Sequence, residues 1–267
     1  MAPENYIILR SSPDWLQFDM EDSREFLRQR HFPEEIVIRF ADRADRLFAM
    51  SYRMVRHQMK QITLDTIAHA RDCRLVSSEG LRNPGDDDVI VFMDDDDWVA
   101  PDLFGVLRST ARPGDGYAWG SIRLGLTLAG MKAGNQAILK RKLDDILYTN
   151  NYAVTGRALK RLGMPALLEN PEARQALHSG QFNPTLVPAY LSCANKHPWC
   201  TMVIQKNLEC RDFFLNLRIM VETYSAILAK IELDADALWI ARYLHGLQSL
   251  VARTLGSGGV QPTFGER

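Results

Sequence analysis

No stretch of this sequence approaches the roughly 18 uncharged apolar residues that a membrane-spanning helix requires, so no transmembrane segment is expected. Its start, MAPENYIILR, lacks a basic segment followed by an apolar h-region, and no secretory signal is expected either. A soluble, cytoplasmic protein is the resulting expectation. Charge of one sign is also lacking: 32 Lys and Arg stand against 33 Asp and Glu, a net charge of -1, which gives no general attraction to nucleic acid or to an anionic membrane. Only four cysteines occur, Cys73, Cys193, Cys200 and Cys210, and no two form a CxxC pair, so reduced thiols are the default. One sharper option is the series Cys193, His197, Cys200 and Cys210, a C-x3-H-x2-C-x9-C spacing that would in principle close a tetrahedral zinc site. No internal repeat is apparent. With 46% hydrophobic and 24% charged residues, the chain has the composition of an ordinary globular protein with a sizeable core.

What the sequence does have is VIVFMDDDDWVAPD, Val89 to Asp102. Val89 to Met93 lack polar alternation, as a strand covered on both faces does. Four aspartates, Asp94 to Asp97, then emerge together at its end. Adjacent like charges must stay hydrated or be neutralised, so the cluster asks for a cation or a donor-rich ligand. Alternate residues at a strand end point the same way, which pairs Asp94 with Asp96 and Asp95 with Asp97. Pro101 suits a first helical turn, and a helix is expected from Leu103 to Arg108.

Around this centre the pattern alternates between strands and helices. Tyr6 to Leu9 and Cys73 to Ser77 read as short strands. Ser23 caps a helix to Arg30, Pro33 opens another element reaching Met59, and Ile62 to Ala70 is a further helix. The arginines between Pro33 and Met59 read as a solvated face, or else Arg53, Arg56 or His57 reaches a phosphate of a bound nucleotide. A Gly, Pro and Asn-rich loop is expected over 80 to 87. One or two strands follow within Tyr117 to Leu128, then a strand at NNYAVT, 150 to 155, and a helix from Gly156 to Leu162 closed by Gly163. Residues 164 to 190 read as a long loop with one short helix, and Thr201 to Ile204 as a last strand.

From Leu208, apolar residues recur at Phe213, Leu217, Met220, Tyr224, Ile227 and Ile231, and after an N-cap at Asp234 at Leu238, Ala241, Leu244, Leu247, Val251 and Leu255. This predicts a helical hairpin whose stripe packs on the main domain or on a second subunit, the latter making a homodimer. The divisions expected are a catalytic domain over 1 to 205, the hairpin over 206 to 256 and a flexible tail over 257 to 267. Strands alternating with helices, with carboxylates at a strand's carboxyl end, fit an open α/β sheet with its ligand site outside the strand ends.

The segment holding Asp94, Asp96, Asp97 and Pro101 resembles the DXD region of GT-A-fold glycosyltransferases. The resemblance implies a GT-A-like (Rossmann-like) open mixed sheet flanked by helices, and a nucleotide-diphosphate sugar whose phosphates are bridged by Mn2+ or Mg2+. It implies metal ligation by Asp94, Asp96 and, near the end of the domain, His197, with the first aspartate, Asp94, nearer the ribose or sugar; Asp95 is a further candidate for a donor contact. The Arg10–Ser11 turn and Arg56 are the candidates for the remaining donor contacts, and a glycan or glycoconjugate acceptor, of the kind built in bacterial polysaccharide pathways, completes the expectation. An inverting reaction also needs a base for the acceptor hydroxyl, for which Asp97 and Glu169 are candidates, with Glu172 and His178 behind them. Two other readings stand beside it. Asp95, Asp97 and Val99 formally meet the haloacid-dehalogenase phosphatase signature, with Asp95 as nucleophile. A non-catalytic nucleotide-sugar or carbohydrate-binding protein is the third.

Overall fold

The computed structural model describes residues 3–10, 43–110, 112–125, 138–141, 150–163, 179–200 and 213–257. Among the described residues, eight strands form one mixed sheet. They are β1 (Asn5–Arg10), β2 (Arg74–Val76), β3 (Val89–Asp94), β4 (Trp98–Val99), β5 (Gly116–Gly125), β6 (Ile138–Arg141), β7 (Tyr152–Thr155) and β8 (Pro184–Lys196). Their order is β2-β1-β3-β7-β5-β8-β4, with β6 paired to β5. β1 runs parallel to β2 and β3, β5 runs parallel to β8, and β7 runs against both β3 and β5. The carboxyl ends of β1, β2, β3, β5 and β8 therefore share one edge, and β7 begins there.

Alternation along β3 explains its place. Val89, Val91 and Met93 enter one apolar cluster with Leu103, Phe104 and Leu107, while Ile90 and Phe92 enter another with Ala158, Leu159 and Phe182. Both faces are thus covered, as its unbroken apolar run requires. Helix α1 (Arg43–His69) and α2 (Leu103–Ser109) lie on the first side, and α3 (Gly156–Leu162) on the second. Thr155 accepts from the Ala158 N–H at 3.2 Å as the N-cap of α3, and Gly163 closes it at φ 83°.

β3 and β4 are joined by three residues yet lie four strand spacings apart in the sheet order. In a flat sheet that separation would be about 19 Å, whereas the chain from Asp94 to Trp98 reaches at most about 14 Å. The sheet must curl so that β4 closes back toward β3, and the acidic turn is the strap across the gap. A register jump between β5 and β8, where Trp119 faces Val187 but Gly120 faces Tyr190, supplies local curvature.

Three expectations change, and the alternatives for the hairpin narrow to one of the two. The elements expected to Met59 and from Ile62 are one continuous helix, α1. The loop expected up to residue 190 gives way to β8 from Pro184; Pro184 occupies its first position and Pro188 falls in the register jump, the two places a strand tolerates proline. The hairpin, α4 (Phe213–Leu228) and α5 (Ala241–Ser257), packs on the main domain. Met220, Tyr224, Leu228, Leu247 and Val251 share one core cluster with Val55 and Met59 of α1, Trp98 of β4 and Ile122 of β5. Leu238, expected in that stripe, is 59% exposed. It sits in a 3-10 turn, Ala235–Ile240, whose tighter winding puts it out of phase with a 3.6-residue stripe. The helices expected before residue 43, the strand at 201 to 204 and the tail lie outside the described residues. No helix among those described is long and apolar enough to cross a membrane.

Gly156 shows how closely α3 is pressed onto the loop before β3. A Cβ there would lie 1.9 Å from the Gly85 carbonyl oxygen. Gly156→Ala is expected to cost about 1–3 kcal/mol, a fall of about 2–12 °C in melting temperature. An unchanged thermal unfolding curve would mean that α3 does not make this approach.

Candidate functional site

The turn Asp94–Asp97 stands at the edge where the parallel strands end, and the register brings its neighbours there. Arg10, last in β1, is the in-register partner of Asp94, last in β3, and its Nε lies 3.0 Å from Asp94 Oδ1. The Asp94 side chain is 28% exposed against 10–11% for Asp95 and Asp96. Asp94 is thus the carboxylate of the turn that meets solvent.

Asp95 and Asp96 face inward onto Arg56, which projects from the middle of α1. Its Nη2 donates to Asp95 Oδ1 at 2.6 Å and its Nη1 to Asp96 Oδ2 at 2.5 Å. His197, just past β8, approaches the same Asp96 oxygen with Nε2 at 3.1 Å. Its other ring nitrogen, Nδ1, accepts the Trp199 N–H at 3.2 Å. A neutral imidazole has one donor and one acceptor, so Nε2 carries the proton and donates to Asp96. Nε2 also lies 3.2 Å from Arg56 Nη1, so the two donors converge on one carboxylate oxygen.

Burial opposes the charged forms throughout, and the partners outweigh it at Asp96 and Lys196 but not at Asp95 or His197. For Asp96 the Arg56 guanidinium and the His197 hydrogen bond outweigh burial and hold its carboxyl far below the ordinary range. For Asp95 burial wins over Arg56, with Asp96 adding to it, and its pKa rises. Burial pushes His197 down, against the pull of Asp96. Burial would also lower Lys196, but Asp97 and Asp96 overcome it and keep the ammonium charged.

Asp97 is wholly buried. Its Oδ2 accepts from Asn150 Nδ2 at 2.8 Å and its Oδ1 from the Asn195 N–H at 3.0 Å. Asn195 in turn accepts from Tyr224 Oη at 2.7 Å, and its amide reaches the Met59 sulfur at 3.6 Å. Trp119 Nε1 donates to Ser192 at 3.0 Å beside Asn150. One carboxylate therefore ties the turn to the start of β7, the end of β8 and, through Asn195, to α4.

The site residues expected from sequence separate accordingly. Arg10, Arg56, Asp94, Asp95, Asp96, Asp97 and His197 are all brought to one edge. Asp97, expected as a catalytic group, has both oxygens engaged in the core and cannot touch an acceptor; it positions the turn. That burial also removes the second aspartate that the phosphatase reading needs. Arg56, expected on a phosphate, is spent on carboxylates, and His57 is exposed. Ser11, Glu169, Glu172, His178 and Cys210 lie outside the described residues. His197 has both nitrogens engaged, and among the described residues Cys193, His197 and Cys200 do not converge as a metal-ligand group. Asn150, Asn195, Lys196 and Tyr224 were not named as site residues from sequence; Tyr224 was read only as part of the hairpin stripe and Asn150 only as the start of a strand, though two consecutive asparagines opening an apolar strand are a legible sign of buried amides.

The set expected to hold Mn2+ or Mg2+, Asp94, Asp96 and His197, does not fit such an ion. A histidine ligand normally donates its second N–H and offers the other lone pair to the metal; here Nδ1 accepts, and Nε2 presents a proton. Arg56 Nη1 already stands at the Asp96 oxygen that would be shared with His197. Asp94 is turned to Arg10 instead. Among the described residues no three His, Cys, Asp or Glu side chains converge as a metal-ligand group.

No protein-family model matches the chain, and no curated protein matches it.

Proposed function

We propose that this chain is a glycosyltransferase on a GT-A-like sheet, moving a sugar from a nucleotide-diphosphate donor to a hydroxyl of a glycan or glycoconjugate. The observation that carries the reading is the Arg10–Asp94 pair, the final residues of two adjacent parallel strands, in register at the edge where open α/β sheets hold their ligands. A solvent-facing carboxylate accepts from ribose or sugar hydroxyls, and a guanidinium matches phosphate oxygens. In the transfer the bond from the anomeric carbon to the phosphate oxygen breaks, and its electron pair leaves with the diphosphate. The acceptor oxygen bonds to that carbon and gives its proton to a base. Charge grows on the leaving group as an oxocarbenium-like state forms, and cations fixed at this edge stabilise it without reorganising. Glu169 remains the proposed base.

The test is release of nucleoside diphosphate from UDP-, GDP- and dTDP-sugars without acceptor, since such enzymes hydrolyse their donors slowly. Turnover of at least one donor is expected. Asp94→Asn, folded as the parent, should lose about tenfold, the value of a charge-assisted hydrogen bond. Binding without turnover of any donor would favour the non-catalytic binding protein, and release of inorganic phosphate from p-nitrophenyl phosphate the phosphatase.

A further inference from the structure

We propose that the site takes its donor's diphosphate without a divalent cation, because the Arg56 guanidinium fills the place between Asp95, Asp96 and His197 that a metal would occupy. The inference rests on the glycosyltransferase reading and narrows it.

The first ground is charge. Four aspartates at a strand end demand neutralisation, and the chain supplies it from within. Arg10 faces Asp94, and Arg56 bridges Asp95 and Asp96. Lys60 acts on Asp95, and Lys196 on Asp96 and Asp97. Four cationic side chains thus face four aspartates, two of which, Asp95 and Asp97, burial pushes toward the neutral acid, so no anionic surplus is left to recruit an ion.

The second ground is space and direction. A metal shared by Asp96 and His197 would sit within about 2.1–2.6 Å of the Asp96 oxygen that faces the imidazole. Arg56 Nη1 is 2.5 Å from that oxygen and 3.2 Å from His197 Nε2, so it occupies the same position. A guanidinium does not deprotonate, and this one comes from a helix interior with its side chain only 8% exposed. His197 reinforces the arrangement, because its acceptor nitrogen is held by the Trp199 N–H and its N–H points at Asp96.

The consequence for the donor is that its diphosphate meets the Arg10 guanidinium at the open edge rather than a bridging metal, while Arg56 stays engaged with Asp95 and Asp96. This separates the site from the metal-bridged arrangement implied by its likeness to the DXD region, even though the acidic residues match that region.

The experiment uses the full-length protein. Thermal unfolding is followed with UDP and with GDP, each in EDTA, in Mg2+ and in Mn2+, together with calorimetric titration of MnCl2 into the protein with and without nucleotide. At a hundredfold excess over the dissociation constant, one nucleotide is expected to raise the melting temperature by about 5–10 °C, equally in EDTA and in metal. The titration is expected to give no saturable Mn2+ heat. A shift that needs metal, or saturable Mn2+ uptake at the nucleotide's stoichiometry, would overturn the inference and leave the transferase reading standing. No shift with any nucleotide under any condition rejects both.

Discussion

Replacing Arg56 by methionine is expected to destabilise the protein by about 3–5 kcal/mol, the loss seen when one partner of a buried ion pair is removed. For a chain of this size that corresponds to a fall of about 6–20 °C in melting temperature. The reason is that Asp95 and Asp96 are both buried and both take a hydrogen bond from the same guanidinium. Without it two adjacent carboxylates face each other, with His197 Nε2–H left on one of them. Arg56→Lys should recover only part of the loss, because an ammonium is a point charge and lacks the fork that meets two separate carboxylates. Adding Asp95→Asn and Asp96→Asn to Arg56→Met should recover most of it, since neutralising every partner removes the buried charge rather than exposing it. Thermal unfolding of the three variants decides the matter. If Arg56→Met melts within 2 °C or so of the parent, Arg56 is not the cation that holds this turn together.

That role was only half legible in the sequence, and the reason is physical. The strand, acidic turn and helix from Val89 to Ser109 follow local rules: an unbroken apolar run, carboxylates at its end, and proline before the helix. The same holds for Thr155 and Gly163 at the ends of α3, whose capping chemistry is carried by two single residues. Arg56 obeys no local rule. It is one of several arginines on α1, and only the packing of α1 against the turn turns this one inward while His57 beside it faces solvent. The demand for a cation was readable from four adjacent aspartates, but the source of that cation is a tertiary fact. The hairpin was legible as a stripe, while its occupant was not, because an apolar face states only that something covers it. Leu238 was placed wrongly since periodicity assumes one helical pitch, and a 3-10 turn intervenes.

The roles of the four aspartates were the least legible part, and Asp97 shows why. A run of identical residues has no internal asymmetry; the difference is made by what each side chain meets when the curled sheet closes. Asp97 meets Asn150 and the Asn195 N–H, both buried, in a place with no solvent. Asp97→Ala is expected to cost about 2–5 kcal/mol, because it orphans a buried side-chain amide and a buried backbone N–H at once. Asp97→Asn should stay within about 1 kcal/mol of the parent at neutral pH, since the shape is kept, one oxygen still accepts from Asn195, and Asn150 can present its carbonyl to the new amide.

The two proteins should also differ in their response to pH. Burial pushes the Asp97 carboxyl well above its ordinary 3.8. From that value up to its folded one, the native state keeps a proton that the unfolded chain has released, so the parent loses stability as pH rises through the window. Asp97→Asn has no proton to lose there. Its stability relative to the parent should therefore grow with pH, measured by denaturant unfolding of both at several pH values from about 4 to 8. A gap that shrinks with rising pH would mean that Lys196 and the two N–H donors hold Asp97 as a carboxylate against the effect of burial.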